Sequence, residues 1–378
     1  MSGANPPIRP YILATAGHVD HGKSALVLAL TGIDPDRLPE EKARGITIEL
    51  GFAELRLPSP PDVAPAVEYQ VGVVDVPGHE DFVKNMVAGV GSIDAAMLVV
   101  AADDGWMPQT EEHLQILTYL GVSHGVIALS KIDLAVDEQR AIDAVRQKLR
   151  GSPLADAPII PTSVPAKRGL TELKSALAEV LARTPPQRDL GKPRLSIDRA
   201  FSLKGVGTVV TGTLAGGQLR RGQQVIVQPT GVATRIRGMQ SHNREIELAL
   251  PGSRVALHLA DVHPSDGRAM RAPSTVGRGD VVSVAELGAP SRTIDVLLER
   301  SSRQATARTL KNGTLVQIHH GTSATPARVR LLGATQLEPG NRGIARLALQ
   351  SPLLALTGDR FVVRDWPEQH TLAGGIVL

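Results

Sequence analysis

The 378-residue chain contains no cysteine. That excludes disulfides, thiolate nucleophiles and cysteine-ligated zinc or iron–sulfur centres. Long apolar runs are missing as well. The longest strongly apolar stretch, Ala95–Ala102, is far short of a membrane span. The N-terminal segment has no secretory pattern, because the apolar stretch after Arg9 runs straight into a glycine-rich motif. These absences predict a cytoplasmic protein with no membrane partner. Tandem repeats and heptads are absent too. Gly (37) and Pro (27) together make about a sixth of the chain, below the level that argues disorder. The rest is ordinary for a folded protein, with 42% hydrophobic and 21% charged residues. The length suggests two or three domains, at roughly 100–200 residues each.

Charge is unevenly distributed. Residues 1–187 hold 16 Lys and Arg against 24 Asp and Glu, a net of −8. Residues 188–378 hold 25 against 14, a net of +11. An acidic front half and a basic back half fit different tasks, with the back half a candidate polyanion binder. Drift in surface composition explains the same numbers equally well.

Texture divides at a similar point. Up to about residue 183, β-like runs (YILATAG, VGVVDVPG, AAMLVVAADD, GVIALSKID, APIIPTSV) alternate with helix-like stretches. That alternation predicts parallel βαβ units with a covered sheet. The tract PSPPDVAP reads as a hairpin loop, since its prolines do not fit a central strand. TPPQRDLGKP, 184–193, reads as a linker. Beyond it come short β-branched runs punctuated by Gly and Pro, the pattern of small barrels. The expected architecture is therefore multidomain α/β plus β. It comprises a nucleotide-binding domain over 1–183 with a mostly parallel sheet and flanking helices, then β-barrels over 194–288 and 289–378.

Residues 17–24, GHVDHGKS, fit G-x-x-x-x-G-K-[ST]. Such a loop turns main-chain N–H groups inward to cradle phosphates at a helix N-terminus. Asp20, His21, Gly22 and Ala25 lie along that cradle. Lys23 is placed to bridge the β- and γ-phosphates, and the Ser24 hydroxyl to ligate Mg²⁺. In DVPGH, Asp75 stands where a Mg²⁺-organising carboxylate is needed, acting through a water, and Gly78 permits close approach to a γ-phosphate. Thr47 in RGITI can offer Mg²⁺ a second hydroxyl and order a switch loop. His79, directly after DVPG, can orient water on the γ-phosphate.

SKID, 130–133, departs from the guanine-specific N-K-x-D pattern at one letter. Asp133 can accept from guanine, and the Lys131 stem can pack on the base. Ser130 replaces the asparagine whose amide would brace the loop, which predicts a looser hold on nucleotide. Ser163 and Val164 in TSV resemble the element whose main-chain N–H reads guanine O6. Together these favour GTP and GDP over ATP.

The string GHVDHGKS…RGITI…DVPGHEDFVKNM…SKID resembles the translational GTPases of the elongation factor Tu group. GTVVTGTLAGGQLRRGQQV resembles the start of that group's second domain. Within the group, DRLPEEKARGITIELGFA, AADDGWMPQTEEHLQIL, IDRAFSLKGVGTVVTGT, VQIHHGTSATPARVRLL and RFVVRDWPEQHTLAGGIVL resemble the selenocysteine-specific elongation factors. Initiation factor 2 gamma shares the switch pattern more loosely and stands as the alternative.

The resemblance implies Mg²⁺-dependent GTP hydrolysis, ribosome-stimulated, and delivery of selenocysteinyl-tRNA to the ribosome at recoded stop codons. Bacterial relatives append winged-helix domains that bind a messenger RNA hairpin. This chain stops at Leu378, so that contact is expected only through domains absent from it. A monomer is expected. The resemblance also places Asp198, Arg199 and Arg254 in an aminoacyl pocket. There the two arginines would hold the ionised selenolate and Asp198 would orient the ammonium. Val19 and Ile46 match an apolar pair thought to gate water at the γ-phosphate, a position that ordinary core packing also explains.

Overall fold

In a computed structural model, which describes residues 6–36, 41, 47, 49–78, 93–265, 274–303 and 309–378, the β-branched runs of the first half assemble into one sheet. Its strands are β1 (Ile8–Ala16), β2 (Gly51–Pro58), β3 (Glu68–Asp75), β4 (Ala95–Ala101), β5 (Gly125–Ser130) and β6 (Ile159–Pro161). They lie in the order β2-β3-β1-β4-β5-β6. All neighbours are parallel except the β2–β3 hairpin. The proline tract connects those two strands, as its composition requires. Every residue of β4 and β5 is buried, the mark of a sheet covered on both faces.

The flanking helices are α1 (Lys23–Thr31), α2 (Pro108–Tyr119), α3 (Glu138–Leu149) and α4 (Leu170–Arg183). Helix α4 shows the logic of their packing. Leu173, Leu177 and Leu181 recur every four residues, so they share one face, and they join Leu26 and Val27 of α1 in the core. Among the described residues no helix is long and apolar enough to cross a membrane.

Contacts among the described residues separate a unit ending at Pro186 from one starting at Gln187. The second unit holds two closed barrels. The first uses β7 (Arg194–Leu203), β8 (Gly207–Ala215), β9 (Gln224–Gln228), β10 (Val232–Ser241), β11 (Arg254–Leu259) and β12 (Val281–Ser283). They run in the ring order β9-β12-β7-β8-β11-β10, and β10 pairs back to β9. The second uses β13 (Ser291–Glu299), β14 (Leu315–His320), β15 (Ser323–Leu331), β16 (Arg342–Leu353), β17 (Arg360–Asp365) and β18 (Thr371–Val377). Its ring order is β13-β16-β15-β14-β17-β18, closed by β18 on β13. Alternation along the longer strands contributes to each core. Along β16, Ala345, Leu347 and Leu349 point inward while Arg346, Ala348 and Gln350 face solvent.

The barrels are joined by a half-hidden charge cluster. Arg194 of β7 donates to both carboxylate oxygens of Asp359, at 2.5 and 2.8 Å. His320 Nε2 lies 3.0 Å from the same carboxylate, and the Leu356 N–H donates to it at 2.8 Å. Burial opposes the charge on Asp359, but the hydrogen bonds from His320 and Arg194 outweigh it and hold the carboxyl well below the usual range. A depressed carboxylate contributes stability that is present above its unfolded value, about 3.9, and lost as pH falls through the folded one. Asp359→Asn is therefore expected to cost about 3 kcal/mol at pH 7. It should also flatten the acid limb of the stability curve below pH ~4. Chemical denaturation at several pH values checks both effects.

Candidate functional site

The first site grows from the exit of β1. Gly17 follows that strand with φ +127°, and a Cβ there would lie 2.2 Å from the Val99 carbonyl oxygen. Only glycine fits. The chain then makes one tight turn over Val19–His21 and reaches Gly22, left-handed at φ 80°, before α1 begins at Lys23. Gly22 offers no side-chain cap. The first N–H groups of α1 thus face a cavity of about 300 Å³ lined by Val19, Lys23, Ser24, Ala25, Thr47 and Gly78 among others. A helix N-terminus with free N–H groups is an anion seat.

Lys23 supplies the charge. Its Nζ donates to the Gly17 and His18 carbonyls at 3.1 and 2.7 Å. Burial pushes its pKa down to about 8, opposed by the nearby Asp75 carboxylate, so it stays protonated at neutral pH. Asp75 is fully buried at the end of β3 and accepts from Thr15 Oγ1 and Ser24 Oγ, both at 2.6 Å. Ser24 Oγ lies 2.8 Å from Thr47 Oγ1, which donates to Asp36 at 2.9 Å. Burial raises both carboxyl pKa values, while the hydroxyl donors oppose the rise.

Two hydroxyls and two carboxylates form a hard-oxygen set that suits Mg²⁺, which takes few protein ligands and leaves the rest to water and phosphate. Gly78 closes the cavity. A Cβ on it would stand 2.3 Å from Lys23 Nζ and 2.6 Å from the Val19 main chain. Val19 of the apolar pair lines the cavity. Ile46 and His79 lie outside the described residues.

His21 contributes only its main chain to this loop. Its ring is fully buried, with Nδ1 3.2 Å from the Val99 carbonyl. Burial, the dominant effect, pushes its pKa down to about 4, so the neutral ring donates Nδ1–H to that carbonyl.

The guanine-side residues do not line the phosphate cavity. Lys131 is left-handed at φ 53°, Asp133 is exposed on the following turn, Ser163 is buried and Val164 half-buried. The two loops are nevertheless tied. Ser130 Oγ donates to the His21 carbonyl at 2.7 Å. Where the loss of the asparagine amide implied a loop without a side-chain brace, the serine hydroxyl supplies one. The Lys131 ammonium lies 3.5 Å from Asp103 and 3.8 Å from Asp104.

In the first barrel, Asp198 sits in a bulge where the β7–β8 register shifts between Ile197 and Arg199. Its carboxylate accepts from Thr211 Oγ1 at 2.7 Å and is ion-paired with Arg254. Both side chains are largely buried, at 4% and 11% exposure. Arg199 is adjacent, opposite Thr211 and half-buried.

Among the features that escaped the motif reading, two bear directly on these sites. One is Asp36, which no pattern in IDPDRLPE marks. The other is a cleft of about 270 Å³ in the first barrel, walled by Leu203, Val206, Val209 and Met239 and edged by Arg237 and His258. Its residues come from separate strands, so no local string announces it.

Comparison with known proteins places these geometries. Residues 9–183 match the Elongation factor Tu GTP binding domain, and residues 298–378 match the beta-barrel domain of the selenocysteine-specific elongation factor. The selenocysteine-specific elongation factor of Desulfomicrobium baculatum is 41% identical over 98% of this chain and 56% of its own length. Translation initiation factor 2 subunit gamma of Thermococcus kodakarensis is 31% identical over 93% of this chain and 92% of its own. The crystal structure of a bacterial selenocysteine-specific elongation factor, EF-Sec, superposes with TM-score 0.84 at 34% identity, covering 98% of this chain and 58% of that one. The chain thus spans a little over half the length of the selenocysteine-specific relatives it matches. It belongs to the translational GTPases of the elongation factor Tu group.

Proposed function

We propose that the chain is a GTP-dependent carrier of selenocysteinyl-tRNA that hydrolyses GTP to GDP and phosphate to release its cargo at the ribosome. The observation that carries this reading is the convergence of Lys23, Ser24 and Thr47 on one cavity at the N-terminus of α1, with the buried Asp75 holding Ser24 from behind. In it, Lys23 and the main chain of residues 20–25 hold the phosphates, and Gly78 offers its N–H to the γ-phosphate. Ser24 and Thr47 would hold Mg²⁺, with Asp75 reaching it through water, and the bound ion would neutralise charge on the phosphate oxygens. His79 orients the attacking water, with Val19 and Ile46 gating its access. Lys131, Asp133, Ser163 and Val164 select guanine.

Residues 1–183 form the hydrolytic domain, 184–193 the linker, and 194–288 and 289–378 the tRNA-gripping barrels. Asp198, Arg199 and Arg254 form the aminoacyl pocket. The apolar cleft of the first barrel, with arginine and histidine at its edge, has the chemistry to take a nucleobase. The protein works as a cytoplasmic monomer. An initiation-factor-like carrier is the lesser reading, since that relative is less similar and the second barrel matches the selenocysteine-specific domain.

Three outcomes are expected. GTP and GDP bind and ATP does not; equal affinity in a titration defeats the guanine assignment. Ser130→Ala releases GDP about 3- to 10-fold faster, the worth of one buried hydrogen bond, whereas Ser130→Asn stays near wild type; stopped-flow release measures both. In filter binding with GTP, selenocysteinyl-tRNA is retained over seryl-tRNA, with affinity falling steeply with salt. Arg199→Gln is the variant of choice for erasing that preference, because Arg254→Ala would leave the buried Asp198 carboxylate without its ion pair. Preference for an initiator tRNA sinks the reading.

A further inference from the structure

We propose that His113 is a positioning residue of the nucleotide site, a role that rests on the guanine-nucleotide reading above. It lies in the middle of α2, 96 positions from Gly17, and is fully buried. Its Nδ1 accepts the Gly17 N–H at 2.9 Å. Nδ1 therefore carries no proton, and the ring is the neutral tautomer protonated on Nε2.

Gly17 has few alternatives. The residue is buried, and its φ of +127° sets it against the Val99 carbonyl, where no Cβ fits. A buried main-chain N–H requires an acceptor, and here the acceptor comes from a side chain on another element. The other end of the same residue is also fixed, because the Gly17 carbonyl accepts from Lys23 Nζ at 3.1 Å. His113 thus sets the backbone of the residue whose carbonyl orients the phosphate-binding lysine. Without the acceptor, the cheapest relief is rotation at Gly17, the most permissive residue type. That rotation carries the carbonyl away from Lys23 and distorts the cradle.

The rest of the segment acts in the same direction. The Val99 carbonyl holds the His21 ring at 3.2 Å. Asp103 and Asp104, on the loop leading into α2, flank Lys131 at 3.5 and 3.8 Å. One stretch, Val99–His113, therefore braces both the phosphate loop and the guanine loop.

The test is titration of the 378-residue protein with a fluorescent GDP analogue in three variants. His113→Asn offers an amide oxygen at the δ position, where Nδ1 stood. His113→Gln moves its amide out to the ε position, and His113→Phe keeps bulk without an acceptor. His113→Asn is expected to bind within about 3-fold of wild type. The Phe and Gln variants should bind about 5- to 100-fold more weakly, the range for a buried N–H left unpaired. Wild-type affinity in the Phe variant overturns the proposal, as does a Gln variant that recovers as well as Asn. If the Phe variant does not fold, the Asn and Gln comparison decides alone. ¹⁵N NMR of the nucleotide-free protein gives an independent readout: a protonated His113 Nδ1 refutes the tautomer. A wild-type chain that binds no guanine nucleotide overturns the parent reading as well, and shows itself before any variant is compared.

Discussion

The first domain is organised around one carboxylate held inside the fold. Asp75 is fully buried, and burial disfavours its charge, so the fold must surround it with donors. Thr15 comes from the end of β1 and Ser24 from the first turn of α1. Both can reach Asp75 only because β1 and β3 are adjacent and parallel, with their C-terminal ends at the same edge of the sheet. Ser24 then carries the connection to Thr47 and Asp36. The requirement to satisfy one acidic side chain thus fixes where the phosphate loop, the second motif and the switch threonine stand relative to each other.

The barrels repeat the theme at lower burial. Asp198 is held by Thr211 and Arg254, and Asp359 by Arg194 and His320. In each case a carboxylate draws donors from separate strands, so charge pairing fixes geometry that β-sheet alternation alone leaves free. Such pairs add little net stability compared with apolar packing, but breaking one partner is costly, which makes them effective at fixing register.

What was legible in the sequence follows from how far apart the interacting residues are. The phosphate loop, DVPG and the barrel texture were readable because their chemistry is written in contiguous letters with fixed spacing. The α/β-then-barrel order was readable because hydrophobic period changes at residue 184–193. Asp36, His113 and the Asp103–Asp104 pair were not, because their partners are supplied by the topology. The Ser130 contact was misjudged for a related reason. A motif letter names the usual donor, whereas the loop needs only some donor within reach of the His21 carbonyl. The packing of the His21 ring against the Val99 carbonyl was equally invisible, because the motif specifies the main chain of that residue and says nothing of its ring.

The barrel pair also changes how a charge-selective pocket must operate. Discrimination of a selenolate from a neutral hydroxyl requires net positive charge where the side chain ends. Asp198 and Arg254 together contribute none, because they are paired in a largely buried site. In the proposed pocket the Asp198–Arg254 pair presents an oriented dipole, and net positive charge has to come from the basic groups around it. The +11 of the second half sets the long-range field that a polyanion would meet, while the paired carboxylates set the local geometry within the barrels.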